Sequence, residues 1–124
     1  MEEIKHKDFR DLTVWQESRK FSNAIFQLIK TFPAEEKFRL ADQIIRSSRS
    51  VNANIAEGHG RFTYKDQLHF CIQARGSLSE TLNHLTQAVD CIYLSQETFN
   101  EYYLQYKKVE QLLNGYITFL RSKT

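Results

Sequence analysis

Apolar residues recur every three or four positions along most of this 124-residue chain, which is the period of an amphipathic α-helix. The clearest example runs from Leu40 to Arg61, where one side of a helix faces a core. That side carries Leu40, Ile44, Ser48, Val51 and Ile55, flanked by Ala41, Ile45, Asn52 and Ala56. One proline, four glycines and the lack of alternating apolar and polar runs leave little room for a sheet. The pattern predicts an all-α fold.

Turn and cap residues divide the pattern into four segments. We predict a polar leader over 1–8 and helices over about 9–31, 37–58, 63–93 and 95–121. The boundary signals are Pro33, Gly58 as a positive-φ cap, and Thr63 and Ser95 as N-caps. Short connections favour antiparallel neighbours, so residues 9–124 are expected to form an antiparallel up-down-up-down four-helix bundle.

The outer side of the second helix is unusual because short hydrogen-bonding groups replace the long Lys and Glu pairs of a solvated face. It carries Arg39, Gln43, Arg46, Ser50, Asn54 and Glu57. Gly76 in the third helix costs roughly 1 kcal/mol relative to alanine, which suggests a close approach there. We therefore predict a structural polar network, within or between subunits, of Arg46, Asn54, Glu57, Ser77 and Glu80. A ligand site is the alternative.

The third helix has more apolar surface than one neighbour can cover. Its predicted stripe is Tyr64, Leu68, Cys71, Ile72, Leu78, Leu82, Leu85, Val89 and Ile92, widened by Phe70, Ala74, Thr81 and Ala88. Such a helix usually has two neighbours, and one of them can belong to another subunit. Arg75 lies in this stripe, so it must reach solvent or a carboxylate.

Composition adds few constraints on chemistry. The net charge is +2, no apolar run is long enough for a membrane span, and the N-terminus lacks a signal-peptide core, so we expect a cytoplasmic protein. The two cysteines and four histidines form no CxxC or HExxH spacing, and the histidines are expected at the surface. We predict no catalytic residues, no metal and no cofactor.

The positions of the basic residues are more informative than their number. Arg49, Arg61 and Lys65 are predicted around the corner between the second and third helices, and Lys5, Lys7 and Arg10 lie near the N-terminus. Exposed cations of this kind contact phosphates without reading base sequence. The alternative is that they only keep the protein soluble.

Several motifs resemble a known family. They are Val14-Trp15-Gln16, Phe32-Pro33 with Glu36, Gln43, Arg46, Asn54-Ile55-Ala56-Glu57-Gly58 and Ala74-Arg75-Gly76-Ser77-Leu78-Ser79-Glu80. They resemble the four-helix-bundle proteins encoded in 23S ribosomal RNA intervening sequences, and the accessory variability proteins of diversity-generating retroelements are similar. Asn52 departs from this pattern, which has proline or a small apolar residue there.

The resemblance implies a non-enzymatic homo-oligomer, plausibly a homopentamer. In the retroelement relatives such a ring binds nucleic acid and a reverse transcriptase. The resemblance thus favours a scaffold associated with RNA or DNA, without sequence specificity. The alternative is a protein-protein adaptor that does not bind nucleic acid.

Overall fold

The computed structural model describes residues 8–124. This part of the chain forms four α-helices and two single-turn 3-10 helices, at Phe9–Asp11 and Ala34–Glu36. The α-helices are α1 (Thr13–Ile29), α2 (Leu40–His59), α3 (Tyr64–Asp90) and α4 (Gln96–Ser122). Residues 8–124 contain no β-strand, so the all-α prediction is confirmed.

Each helix packs on its neighbours in the chain, and α4 also packs on α1. Polar contacts between helices join Ser47 to Thr81, Ser50 to Ser77, Tyr102 to Ala24 and Lys108 to Glu17. Residue numbers rise along one helix as they fall along the other, so α2 and α3 are antiparallel, as are α1 and α4. The four helices form a bundle.

The core side predicted for α2 is confirmed. Leu40, Ile44, Ser48, Val51 and Ile55 are all buried, and the Ser48 hydroxyl donates to the Ile45 carbonyl 3.1 Å away. A buried serine is thus satisfied within its own helix. Each buried leucine or isoleucine contributes roughly 1.5–3 kcal/mol, so this side holds α2 against the other helices.

The predicted N-caps are confirmed. Thr63 accepts a hydrogen bond from the Asp66 backbone N–H at 3.1 Å, and Ser95 accepts one from the Thr98 N–H at 3.1 Å. Asp8 caps the first 3-10 turn by accepting from the Arg10 N–H. These side chains satisfy amide groups that helix ends leave unpaired.

The prediction for Gly58 was wrong. Gly58 is a buried residue inside α2, and no described glycine has positive φ. The helix ends one residue later, and Gly60 caps it in a right-handed conformation at φ −77°. Glycine is needed at 58 for another reason. A Cβ there would lie 2.9 Å from the Phe70 Cβ and 3.1 Å from the Gln67 carbonyl oxygen, so its absence lets α3 approach α2.

The predicted end of the third helix was also wrong. α3 ends at Asp90, and Ile92 is 90% exposed with φ 62°. The Tyr93 N–H donates to the Ala88 carbonyl and the Ile92 N–H to the Val89 carbonyl, which is the bond pattern of a Schellman cap. Ile92 occupies the left-handed position that usually takes glycine, so it leaves the predicted core stripe.

The buried side of α3 differs from the predicted one at further residues. Thr81 and Ala88 are buried as predicted, whereas Tyr64 and Ile72 are exposed and His84 is buried. The surface prediction for His84 was therefore wrong, because α2 covers this side of α3. Large apolar side chains left exposed in residues 8–124 are Phe26, Phe38, Phe62, Tyr64, Ile72, Ile92, Tyr103, Leu104 and Phe119.

Candidate nucleic-acid interface and polar cleft

The corner between α2 and α3 carries two of the predicted cations. Arg61 and Lys65 flank the tight connection that leads into α3, and both are exposed. The Arg61 guanidinium donates to Glu57 Oε1 at 3.1 Å and lies 4.7 Å from the centre of the Phe70 ring. Arg61 is thus held in place, while none of the ion pairs within residues 8–124 involves Lys65.

Arg10 lies at the same end of the bundle. The turn that contains it leads into α1 and packs against α2. Arg10 donates to both carboxylate oxygens of Asp8, at 2.7 Å in the shorter contact. This hydrogen bonding lowers the pKa of Asp8 to about 2 and raises that of Arg10. The predicted Lys5 and Lys7 lie outside the described residues.

Arg49 does not join this group. Its guanidinium lies 5.3 Å from the centre of the Phe26 ring of α1, ten residues before the end of α2. The helix period turns Arg49 toward α1, so the prediction that it lies at the α2–α3 corner was wrong.

Two further cations were missed as members of this group. Arg121 and Lys123 lie at the end of α4, which is antiparallel to α1 and therefore ends where α1 begins. The Lys123 ammonium is 5.6 Å from the centre of the Phe119 ring. The antiparallel prediction already contained this signal, since it places the fourth helix end beside the α2–α3 corner.

The structure joins only part of the predicted polar network. The Asn54 amide donates to the Ser50 hydroxyl at 3.0 Å, which lies 3.0 Å from the Ser77 hydroxyl. A second link joins Ser47 and Thr81 at 2.8 Å, and the Thr81 hydroxyl donates to the Ser77 carbonyl. These hydroxyl and amide contacts join α2 to α3.

The charged members of that network pair along their own helices instead. Arg46 pairs with Asp42 at 3.5 Å, Glu57 with Arg61, and Glu80 with His84 at 3.2 Å. Their long side chains reach one helical turn more easily than a neighbouring helix. A network between subunits stays a prediction.

Beside these hydroxyl contacts lies a cleft of about 420 Å³. Its lining residues are Gln43, Arg46, Ser47, Ser50, Glu80 and His84. His84 is 8% exposed, and its buried Nδ1 has no hydrogen-bond partner among residues 8–124. The cleft therefore places one cation, one carboxylate and one buried imidazole on the outer boundary between α2 and α3.

Gly76 differs from its prediction within one copy of the chain, whereas Arg75 is found near a carboxylate, as predicted. A Cβ at Gly76 would meet nothing within 4 Å, so no described residue approaches it closely. Arg75 Nη1 donates to the Asn114 side-chain oxygen at 3.3 Å, and its charge acts on Glu110. Arg75 therefore lies at the edge of the α3–α4 contact, near a carboxylate, rather than within the core.

Asn52 has a half-buried side chain in α2. Its buried Oδ1 has no hydrogen-bond partner among residues 8–124. A buried oxygen without a hydrogen-bond partner is unfavourable. The proline or small apolar residue of the family pattern would not bring such a side-chain oxygen to this position.

No three His, Cys, Asp or Glu side chains of residues 8–124 are grouped so that they could hold a metal ion. None of the helices in this part of the chain has the length and hydropathy of a membrane span.

Comparison with known proteins identifies the family. The profile of the 23S rRNA-intervening sequence protein family matches residues 10–115. A 1.70 Å crystal structure of a protein of unknown function from the S23 ribosomal protein family of Bacteroides thetaiotaomicron is similar, with a TM-score of 0.78 and 26% identity. The alignment covers 85% of this chain and 98% of that one. No curated protein matches. The matched range spans all four helices, and the chain belongs to the 23S rRNA-intervening sequence protein family.

Proposed function

We propose that this protein is a non-enzymatic, cytoplasmic scaffold that assembles as a homo-oligomer, plausibly a pentamer, and associates with RNA or DNA through one end of its bundle. The observation that carries the proposal is the collection of cations at that end, which we call the basic end. They are Arg10, Arg61, Lys65, Arg121 and Lys123. Phosphate contacts from such side chains supply affinity without sequence readout.

At the opposite end of the bundle, acidic residues outnumber cations. Its five acidic residues, Glu35, Glu36, Asp42, Asp90 and Glu97, exceed its three cations, Lys30, Lys37 and Arg39. The five cations of the basic end exceed its four acidic residues, which are Asp8, Asp11, Glu57 and Asp66. A phosphate backbone therefore gains more from approaching the basic end than the opposite one. Surface charge of this size steers association rather than specifying a base sequence.

Assembly would strengthen a weak contact. The chain carries a net charge of +2, so a ring of five would carry about +10, and linked sites gain affinity through their effective concentration. The exposed Ile72 and Leu104 offer apolar area that a second copy could cover. The reverse transcriptase partner rests only on the resemblance to retroelement proteins and stays a prediction.

A salt titration with paired variants tests the nucleic-acid proposal. Fluorescence anisotropy would follow a labelled RNA between about 50 and 200 mM salt, where phosphate-driven binding weakens steeply. Lys65→Gln with Lys123→Gln removes two cations of the basic end. We expect weaker binding and a log–log salt slope that becomes shallower by about 0.7 for each lost contact to a single strand.

The matched control changes two cations of the opposite end, Lys30→Gln with Lys37→Gln. It alters net charge by the same amount and should leave the slope nearly unchanged. Equal losses from both pairs would show that only net charge matters. A chain that retains no RNA or DNA at low salt, or a single copy by light scattering at micromolar concentration, would refute the scaffold proposal.

The adaptor is the second candidate, and the polar cleft favours it. Arg46 and Glu80 line the cleft with exposed side chains, so they can pair with a protein partner or a second copy. Glu80→Gln is expected to lower the melting temperature or the oligomer mass if the cleft lies in an assembly contact. Unchanged values for both would remove that role.

A further inference from the structure

We propose that the basic end binds unpaired nucleotides by stacking their bases on exposed aromatic rings, so that the preferred ligand is a single strand rather than a duplex. This inference rests on the proposed function and narrows it to a class of nucleic acid. Tyr64 and Phe119 are in ring contact, and Phe62 precedes Tyr64 by two residues in the connection between α2 and α3. We call these three rings the aromatic platform.

The connection between α2 and α3 alternates cations and rings along the chain. Arg61, Phe62, Thr63, Tyr64 and Lys65 are consecutive. Phe62 is 99% exposed and lies between the end of α2 and the Thr63 cap. Both faces of its ring are therefore open to a ligand.

The platform extends across two helices. The Tyr64 and Phe119 rings are 6.3 Å apart between centres and perpendicular to each other, and Tyr116 stacks on the inner side of this group 6.2 Å from Phe119. Tyr64 is 45% exposed and Phe119 47% exposed. Packing against each other holds the Tyr64 and Phe119 rings in place while leaving about half of each side chain open to a ligand.

Two cations lie next to the rings of Tyr64 and Phe119. Lys123 lies 5.6 Å from the Phe119 ring centre, while Lys65 follows Tyr64 in the first turn of α3. Proteins that bind single strands combine such cations with aromatic rings, because every base has a face that can stack. In a duplex the bases already stack on each other, so the rings would add nothing.

The charges separate this occupant from a protein one. Phe38 at the opposite end is also exposed and lies between Lys37 and Arg39, with the Lys37 ammonium 5.4 Å from its ring centre. Acidic residues nevertheless outnumber cations at that end as a whole, whereas cations outnumber acidic residues at the basic end. The charge of the basic end therefore favours a polyanion.

Binding of two labelled RNAs tests the inference, one an unstructured uridine 20-mer and the other a 20-base-pair duplex. The full-length protein should bind the single strand several-fold more tightly. Phe62→Ala and Phe119→Ala should each weaken single-strand binding by roughly 5- to 150-fold, the measured range for one stacked base, and barely change duplex binding. Phe62→Trp should retain affinity, and its added indole fluorescence should fall when RNA binds.

Phe38→Ala is the matched control, since it removes an exposed ring from the other end and should change neither affinity. Equal affinity for both RNAs with no effect of Phe62→Ala would overturn the stacking inference while leaving phosphate-driven association intact. No binding of either RNA at low salt would overturn both. A lower oligomer mass for Phe62→Ala, with RNA affinity retained, would assign the ring to a contact between copies and would also overturn the inference.

Discussion

Gly58→Ala is the sharpest test of how α2 and α3 pack. The new Cβ would lie 2.9 Å from the Phe70 Cβ and 3.1 Å from the Gln67 carbonyl oxygen. Both atoms belong to the α3 framework, so a rotamer change cannot move them away and the helices must separate by a few tenths of an ångström. Overpacking of this kind costs about 1–3 kcal/mol.

The same substitution also has a favourable term. Alanine is better than glycine in a helix by about 1 kcal/mol, so the net loss of unfolding free energy is about 0–2 kcal/mol. Gly76→Ala isolates the favourable term, because nothing lies within 4 Å of its Cβ position. We therefore expect opposite signs from the same change: destabilisation at Gly58 and stabilisation by up to about 1 kcal/mol at Gly76.

Urea denaturation followed by circular dichroism would measure both variants at one protein concentration, because assembly makes apparent stability concentration-dependent. A Gly58→Ala protein that gains as much stability as Gly76→Ala would refute the close packing at this crossing. A Gly76→Ala protein that is less stable, and more so at higher concentration, would place Gly76 in a contact between copies and restore the close approach predicted from its sequence position.

Three other predictions concern single residues. Thiol labelling of the native protein should modify the exposed Cys91 rapidly and the buried Cys71 only on unfolding; equal rates would contradict its burial. Burial raises the pKa of Cys71 from 9.0 to about 11. The contribution of this thiol to the unfolding free energy is therefore fully present below pH 9 and is lost as the pH rises to about 11. The unfolding free energy should fall over that window by roughly 2–3 kcal/mol, and Cys71→Ala should flatten the fall; an unchanged slope would refute it. Ile92→Gly should raise stability in urea by about 1 kcal/mol, because a β-branched residue at φ 62° is strained, and a loss would show that Ile92 packs against something.

Local features were predictable from the chain because they depend on neighbours in sequence. The Thr63 and Ser95 caps bond to amides three residues away, and the buried side of α2 follows from the helix period alone. The same reasoning failed at Gly58 and at Ile92. At Gly58, one residue pattern can have two different structural causes, and at Ile92 an apolar residue occupies a positive-φ position that usually takes glycine. Glycine near a helix end can serve a positive φ or a close contact, and only the position of Phe70 distinguishes them.

The candidate site was less predictable because its parts are distant in sequence. Periodicity placed Arg61 and Lys65 at one corner but could not show that Lys123 and Phe119 lie beside them. The charged side chains of the predicted network also chose partners one turn away, since flexible chains pair with the nearest opposite charge. Short Ser and Thr groups bond both within their own helices and across the interface, and the contacts across the interface join α2 to α3.

The order of apolar, polar and cap residues was enough to establish four helices, the buried side of α2 and the family, because each of these is written in short-range spacing. The remaining features depend on how the helices cross. The crossing requires glycine at position 58, buries His84 and leaves Ile72 exposed. It also determines which rings and cations lie together at the basic end. Such contacts depend on the angle and distance between helices, which many side chains set together, and no single segment encodes them.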